Sequence, residues 1–299
     1  MARRVFLGGW RLFACLGAAV LPAGGCKAKP HVEPVLVGSA TLPAPIASAL
    51  PIDPKVVSAA VNPNGEAPYA GATGTISGVI TMTGDAAPES PEVAAQIPQD
   101  CAAAKDVYGK LFREGPGRAL ADVVVGVTGY QGYLPEEAPA VAADASGCAW
   151  GSRTYVLTFG QTLDVRSRDS RPYVPDLMGA HLKAQLVAVP RGEPIHLNPE
   201  QPGRYQLTDS MRLFMLADVL VVKFSTHAVT GLDGRYVIPH VPVGKVKVSA
   251  LLPANMAQSE KEVEVHAGEL ADVPLVLHFD RKEWDSRRAG SPAPAPSQH

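Results

Sequence analysis

Hydrophobic positions fall into short β-branched runs interrupted by Gly, Pro, Asp and Asn, with a period of two recurring where a period of 3.6 does not. Gly74-Thr75-Ile76-Ser77-Gly78-Val79-Ile80-Thr81 alternates and leads to Gly84-Asp85, which predicts a strand and a turn. The run from Asp122 to Val127 is continuously apolar after its first residue, as in a strand buried on both faces. Thr154 to Phe159, Gly160-Gln161 and Thr162 to Arg166 read as strand, turn, strand. Residues 219 to 224 predict a further strand, and Val243 to Ala250 places Val246 and Val248 on one face and Lys245 and Lys247 on the other. Helical periodicity is confined to one turn around Ala102 to Tyr108. The pattern predicts an all-β protein of one or two β-sandwiches.

The N-terminus changes the picture from fold to location. Arg3-Arg4 precedes the apolar stretch Leu12 to Leu21, which is too short and too Gly-broken to span a membrane, and residues 1–25 read as a signal peptide. Arg3-Arg4-Val5-Phe6-Leu7 is similar to a twin-arginine signal, with a plain basic n-region as the alternative. Leu21-Pro22-Ala23-Gly24-Gly25-Cys26 resembles a bacterial lipobox, which implies lipidation of Cys26 and a lipid anchor in the membrane. Lys27 after that cysteine implies an outer-membrane lipoprotein facing the periplasm or the cell surface; without lipidation the expected location is periplasmic. Residues 26–73 are rich in Pro and Ala without a period and read as a linker, and 281–299 as a disordered tail.

Charge and cysteine usage then remove function classes. The formal net charge is -2, and no basic patch with interleaved aromatics is present, so no nucleic-acid partner is expected. Of four cysteines, Cys15 leaves with the signal and Cys26 takes the lipid, which leaves Cys101 and Cys148 as an expected disulfide in an oxidising compartment. A metal role for that pair is the alternative, although neither lies in a Cys-x-x-Cys or near a histidine. His181, His196, His227, His240, His266 and His278 are scattered without ligand spacing, and Asp169 and Asp176 lie near arginines as expected surface pairs. The chain has no Gly-x-Ser-x-Gly, no His-Glu-x-x-His and no phosphate-binding glycine loop, so no catalytic residue, cofactor or enzymatic activity is predicted.

Two resemblances extend this reading. Thr230-Gly231-Leu232-Asp233-Gly234-Arg235-Tyr236, with Pro242-Val243-Gly244 and Val263-Glu264-Val265-His266-Ala267-Gly268, resembles the carboxypeptidase regulatory-like domain, a small transthyretin-like sandwich. The resemblance implies a turn at Asp233-Gly234, Tyr236 and Ile238 in a core, and a non-catalytic scaffold that serves as a spacer or binds sugar or protein. Upstream, Gly74 to Ile80, Asp100-Cys101, Leu120 to Val125, Ser146-Gly147-Cys148 and Gly160 to Arg166 resemble a cupredoxin-like Greek-key sandwich placed before such a domain. Together they imply tandem β-sandwiches at 74–225 and 226–280.

The cupredoxin resemblance raises the question of copper. A blue-copper site needs a thiolate, two imidazoles and a weak axial thioether. The positions that match such ligands here are Tyr173, Met211 and Met215, which supply neither thiolate nor imidazole, so no metal is expected and the methionines read as apolar filler. The favoured function is a non-catalytic cell-envelope lipoprotein acting as a carbohydrate- or protein-binding β-sandwich module. The loop from Tyr130 to Glu137, with Tyr130 and Tyr133, is its expected contact surface. The alternative is a periplasmic cupredoxin-type metal-binding electron-transfer protein.

Overall fold

β structure begins where the alternation predicts it, with alternate residues of Thr73–Gly84 facing inward. The computed structural model describes residues 51–181 and 186–290; the signal segment, Cys26, the linker up to residue 50 and the tail from 291 lie outside the described residues. The first elements are α1 (Pro54–Val61), β1 (Thr73–Gly84), α2 (Pro91–Gln96), α3 (Ala102–Tyr108) and β2 (Val124–Thr128). Next come β3 (Ala140–Ser146), β4 (Ala149–Trp150), β5 (Thr154–Thr158), β6 (Thr162–Ser167), β7 (Pro175–Met178), β8 (Ile195–Leu197), β9 (Gly203–Asp209) and β10 (Arg212–Val222). The chain closes with β11 (His227–Val229), β12 (Arg235–Pro242), β13 (Gly244–Leu252), β14 (Ala257–Val265), β15 (Leu270–Asp272), β16 (Leu275–Phe279) and α4 (Arg281–Gly290).

Hydrogen bonding divides these strands into two sandwiches, and the division is not sequential. In the first, which we call the host, β1 pairs antiparallel with β12 along one edge and in parallel with β15 and then β16 along the other. The facing sheet runs β11-β2-β13-β14. Ile76 and Ile80 from β1, Val125 and Val127 from β2, and Val246 and Val248 from β13 meet in its core. Two glycines make the assembly possible. A Cβ at Gly78 would collide with the Val273 carbonyl, where the chain passes from β15 to β16, so only glycine lets both short strands share that edge of β1. Gly234 (φ +68) turns the chain into β12, as expected of Asp233-Gly234, and buries Tyr236 and Ile238.

The second sandwich is an insertion between β2 and β11. Its sheets run β4-β3-β6-β8 and β5-β10-β9-β7, each with one parallel pair, β3 with β6 and β5 with β10. β5 and β6 therefore belong to opposite sheets, and the expected turn at Gly160 is a crossing between them. β10 begins at Arg212, earlier than the expected 219, and a register shift between Arg212 and Leu216 accommodates the MRLFML stretch against β9. Ile97, Ala104 and Tyr108, from the segment between β1 and β2, reach across to this core, and the Cys101–Cys148 disulfide fixes that segment to the end of β3. Closing a loop of 47 residues stabilises the fold by about 4 kcal/mol in the chain-entropy model.

Three expected boundaries change. The division at 225 and 226 fails because β1 and β2 hydrogen-bond with the C-terminal strands, a pairing across more than a hundred residues that no local pattern encodes. Residues 51–72 are not a free tether. Asp53 caps α1 at the Lys55 amide, Pro54 occupies the first helical turn, and Val57, Ala60 and Val61 pack on the inserted core. The tail starts as helix α4, held by Arg281–Asp285 and Glu283–Arg287 pairs and by Trp284 against Phe279. Among the described residues no helix is long and apolar enough to cross a membrane.

The two cores are joined at Asp122, a buried residue at φ +66 on the threshold of β2. Its carboxylate accepts from Arg113 Nε at 2.7 Å, Ser152 Oγ at 3.0 Å and the Arg153 amide at 2.8 Å. Burial works against the Arg113 guanidinium, yet the hydrogen bond and charge of Asp122 hold its pKa above the usual value. For Arg153 burial prevails and lowers the pKa, while its Nη1 donates to the Lys110 carbonyl at 2.8 Å.

Candidate functional site

Tyr173, Met211 and Met215 have different fates. Tyr173 is fully buried; its hydroxyl donates to Asp169 Oδ2 at 2.9 Å and accepts from the Cys148 amide at 3.2 Å. Burial is the main reason its phenol is pushed up to about 12. Met215 is also fully buried, and its carbonyl accepts from the Trp150 indole at 3.3 Å. Met211 is 63% exposed in the turn between β9 and β10, so it fills no core. Asp169, expected in a surface pair, also accepts from the Gly147 and Arg171 amides, and these bonds outweigh its burial and lower its pKa.

This donor set does not fit blue copper. The phenol is engaged on both sides, one thioether is buried and the other free in solvent, and both described cysteines are consumed in the disulfide. Among the described residues no group of three or more His, Cys, Asp or Glu side chains is placed to hold a metal ion.

Ionisable groups converge elsewhere, in a groove of about 380 Å³ where the chain leaves the host after β2 and returns before β11. Its walls are Tyr69 from the N-terminal strap (residues 51–72), Pro135, Glu136 and Glu137 from the outgoing connection, Ser225 and Thr226 from the returning one, His227 at the start of β11, and His240 from β12. The strap is held in place by the Tyr69 amide on the Tyr133 carbonyl at 2.8 Å and by the Val243 amide on the Ala72 carbonyl at 3.2 Å. A wider cleft of about 580 Å³ runs along Val141, Tyr155, Val229 and Leu232 and shares His227 with the groove.

Behind the groove wall, buried Thr158 links two of its lining residues: its Oγ1 lies 2.7 Å from Glu136 Oε2 and 3.0 Å from His227 Nε2. A hydroxyl has one proton; given to Glu136, it leaves the threonine oxygen to accept from Nε2–H of a neutral imidazole. Burial favours that neutral form and lowers the His227 pKa against the opposing charge of Glu136. Glu136 Oε1 accepts the Glu137 amide at 3.1 Å, so this carboxylate is fixed at both oxygens. Glu137 is far more exposed and lies 3.7 Å from His240 Nδ1. His240 has φ +57 inside β12, in the left-handed region that non-glycine residues seldom occupy.

The expected contact loop supplies one wall of this groove, but not through its tyrosines. Tyr130 is half-buried against the host core; Thr226 gives its hydroxyl proton to the Val127 carbonyl at 2.7 Å, and Tyr130 donates to Thr226 Oγ1 at 3.0 Å. Tyr133 lies under the strap, beside Asn62 and Phe224. The residues that do face the groove come from segments as distant in the chain as those of Tyr69, Glu136, His227 and His240, so no spacing signal marks them.

No family model and no curated protein matches the chain. Solved structures do. The likeness is to amicyanin. A reduced amicyanin variant is 17% identical over 28% of this chain and 82% of its own, with a TM-score of 0.23. A second reduced variant is 16% identical over 32% of this chain and 98% of its own, with a TM-score of 0.24. Amicyanin from Paracoccus versutus (Thiobacillus versutus) is 16% identical over 29% of this chain and 84% of its own, with a TM-score of 0.21. Nothing of amicyanin's chemistry is carried over to this chain.

Proposed function

We propose that the chain is an exported, lipid-anchored envelope protein whose two sandwiches form a non-catalytic recognition module for a protein or glycan, with the groove at their junction as the ligand site. The observation that carries this reading is the convergence of the strap, both connections of the insertion and β12 on one concave surface. Ligand sites favour concave surfaces where separate parts of a fold meet, and here the strap, the two connections and the host strands supply walls that none has alone. The carboxypeptidase regulatory-like reading of the host is supported by the Gly234 turn, the inward Tyr236 and Ile238, and the β13–β14 hairpin.

A glycan array and an envelope pull-down with the full chain test the module. Binding that Tyr69→Ala weakens at least about tenfold supports the groove, the loss expected when an aromatic anchor is removed; ligands captured equally by both proteins would refute it. Membrane fractionation tests the anchor: Cys26→Ser moves the protein to the soluble fraction if Cys26 carries lipid.

A further inference from the structure

The groove's chemistry narrows its ligand, on the assumption that the groove is the binding site. Its hydrogen-bonding capacity is lopsided. Pro68, Pro135 and Pro239 contribute carbonyls but no N–H, and Glu136 and Glu137 contribute carboxylates. Among the described residues that line it there is no lysine or arginine; of its two histidines, His227 already spends its Nε2 on Thr158, and His240, 3.7 Å from Glu137, is the one ring a ligand's cation would have to displace. A sugar hydroxyl both donates and accepts, and would find few donors here. A guanidinium or ammonium only donates, and its aliphatic stem packs on proline, leucine and tyrosine.

We infer that the groove binds a segment of a protein partner that carries arginine or lysine, with the cationic head at the Glu137 carboxylate and the stem along Tyr69 and Pro135. Glu136, fixed at both oxygens by Thr158 and the Glu137 amide, provides a second charge that does not have to be ordered on binding. Tyr69 is oriented by its own hydroxyl on the Ala72 carbonyl at 3.1 Å and by close packing on Gly71 and Gly132, so its edge of the groove is set before a ligand arrives.

The test is fluorescence anisotropy with the full chain in detergent, using a labelled peptide of alternating Gly and Arg and its Gly–Glu counterpart. The expected result is saturable binding of the Arg peptide only, weakened about tenfold by Glu137→Gln, as for loss of a charge-assisted contact. Glu262→Gln, an exposed charge on β14, should leave it unchanged. Glu137 is exposed, so its variant keeps the fold and the comparison stays informative. Equal binding by wild type and Glu137→Gln, or by both peptides, would overturn the inference. Capture of a neutral glycan that Tyr69→Ala abolishes would also overturn it while leaving the recognition module standing. If Tyr69→Ala affects neither peptide nor glycan binding, both readings fall.

Discussion

The host and the inserted sandwich are each built from two four-stranded sheets, but different interactions hold them together. The host core is aliphatic, dominated by Ile, Val and Leu on long, alternating strands. The inserted core is rich in aromatic side chains, among them Tyr108, Trp150, Tyr155, Tyr173, Tyr205 and Phe214. Several carry hydroxyls or an indole N–H that bond to backbone, such as Tyr108 to the Trp150 amide at 2.9 Å. It also carries the disulfide. Short strands interrupted by irregular segments bury less continuous apolar surface, and the covalent link and the hydroxyl network offset that deficit.

The comparison is broken most severely at Asp122, where the two cores share one carboxylate. Asp122→Ala leaves Arg113 and the half-buried Arg153 without their shared counter-charge, with an expected loss of about 3–5 kcal/mol in urea-induced unfolding. Replacing both Cys101 and Cys148 with Ala should cost about 4 kcal/mol. Amide exchange should accelerate in β3 and β4 while β1 and β13 keep their protection; equal acceleration in both sandwiches would refute the division of labour. The methionines sharpen the contrast within the insertion. Met215→Ala is expected to cost about 2–5 kcal/mol by leaving a core cavity.

A smaller effect depends on pH. Burial lowers the His227 pKa below the ordinary value near 6.5, so the unfolded chain binds the proton first as pH falls. The stabilisation is whole above about pH 6.5 and is lost as pH falls from there through the folded-state pKa. His227→Gln should flatten that slope in thermal unfolding followed across the range. Smallest of all, Met211→Ser should change stability by less than about 0.5 kcal/mol, as expected for an exposed turn residue.

What the sequence made legible follows the same contrast. Strands β1, β2, β5, β6 and β13 were readable because alternation or continuous apolarity is a local signal; Val246 and Val248 face inward as their spacing predicts, and Tyr236 and Ile238 as the family resemblance implies. The Cys101–Cys148 link was readable because only two cysteines remained. The partners of β1 and β2 were not readable, since pairing of Ile76 with Ile238 spans the whole insertion. The groove was half legible: the connection that ends at Glu137 stood out by its Tyr and Pro content. His227, His240 and Tyr69 join it only through folding, and Tyr69 sits in a segment whose composition resembles a tether.

The parallel register of β1 and β16 has a mechanical consequence. The first and last strands of the host lie side by side, from Ile80 with Leu275 to Gly84 with Phe279. Tension applied between the two ends of the chain would load these strands lengthwise in shear, so that their hydrogen bonds share the force instead of opening one after another. A protein tethered at one end and gripped at the other would meet a clamp before either sandwich could be drawn out.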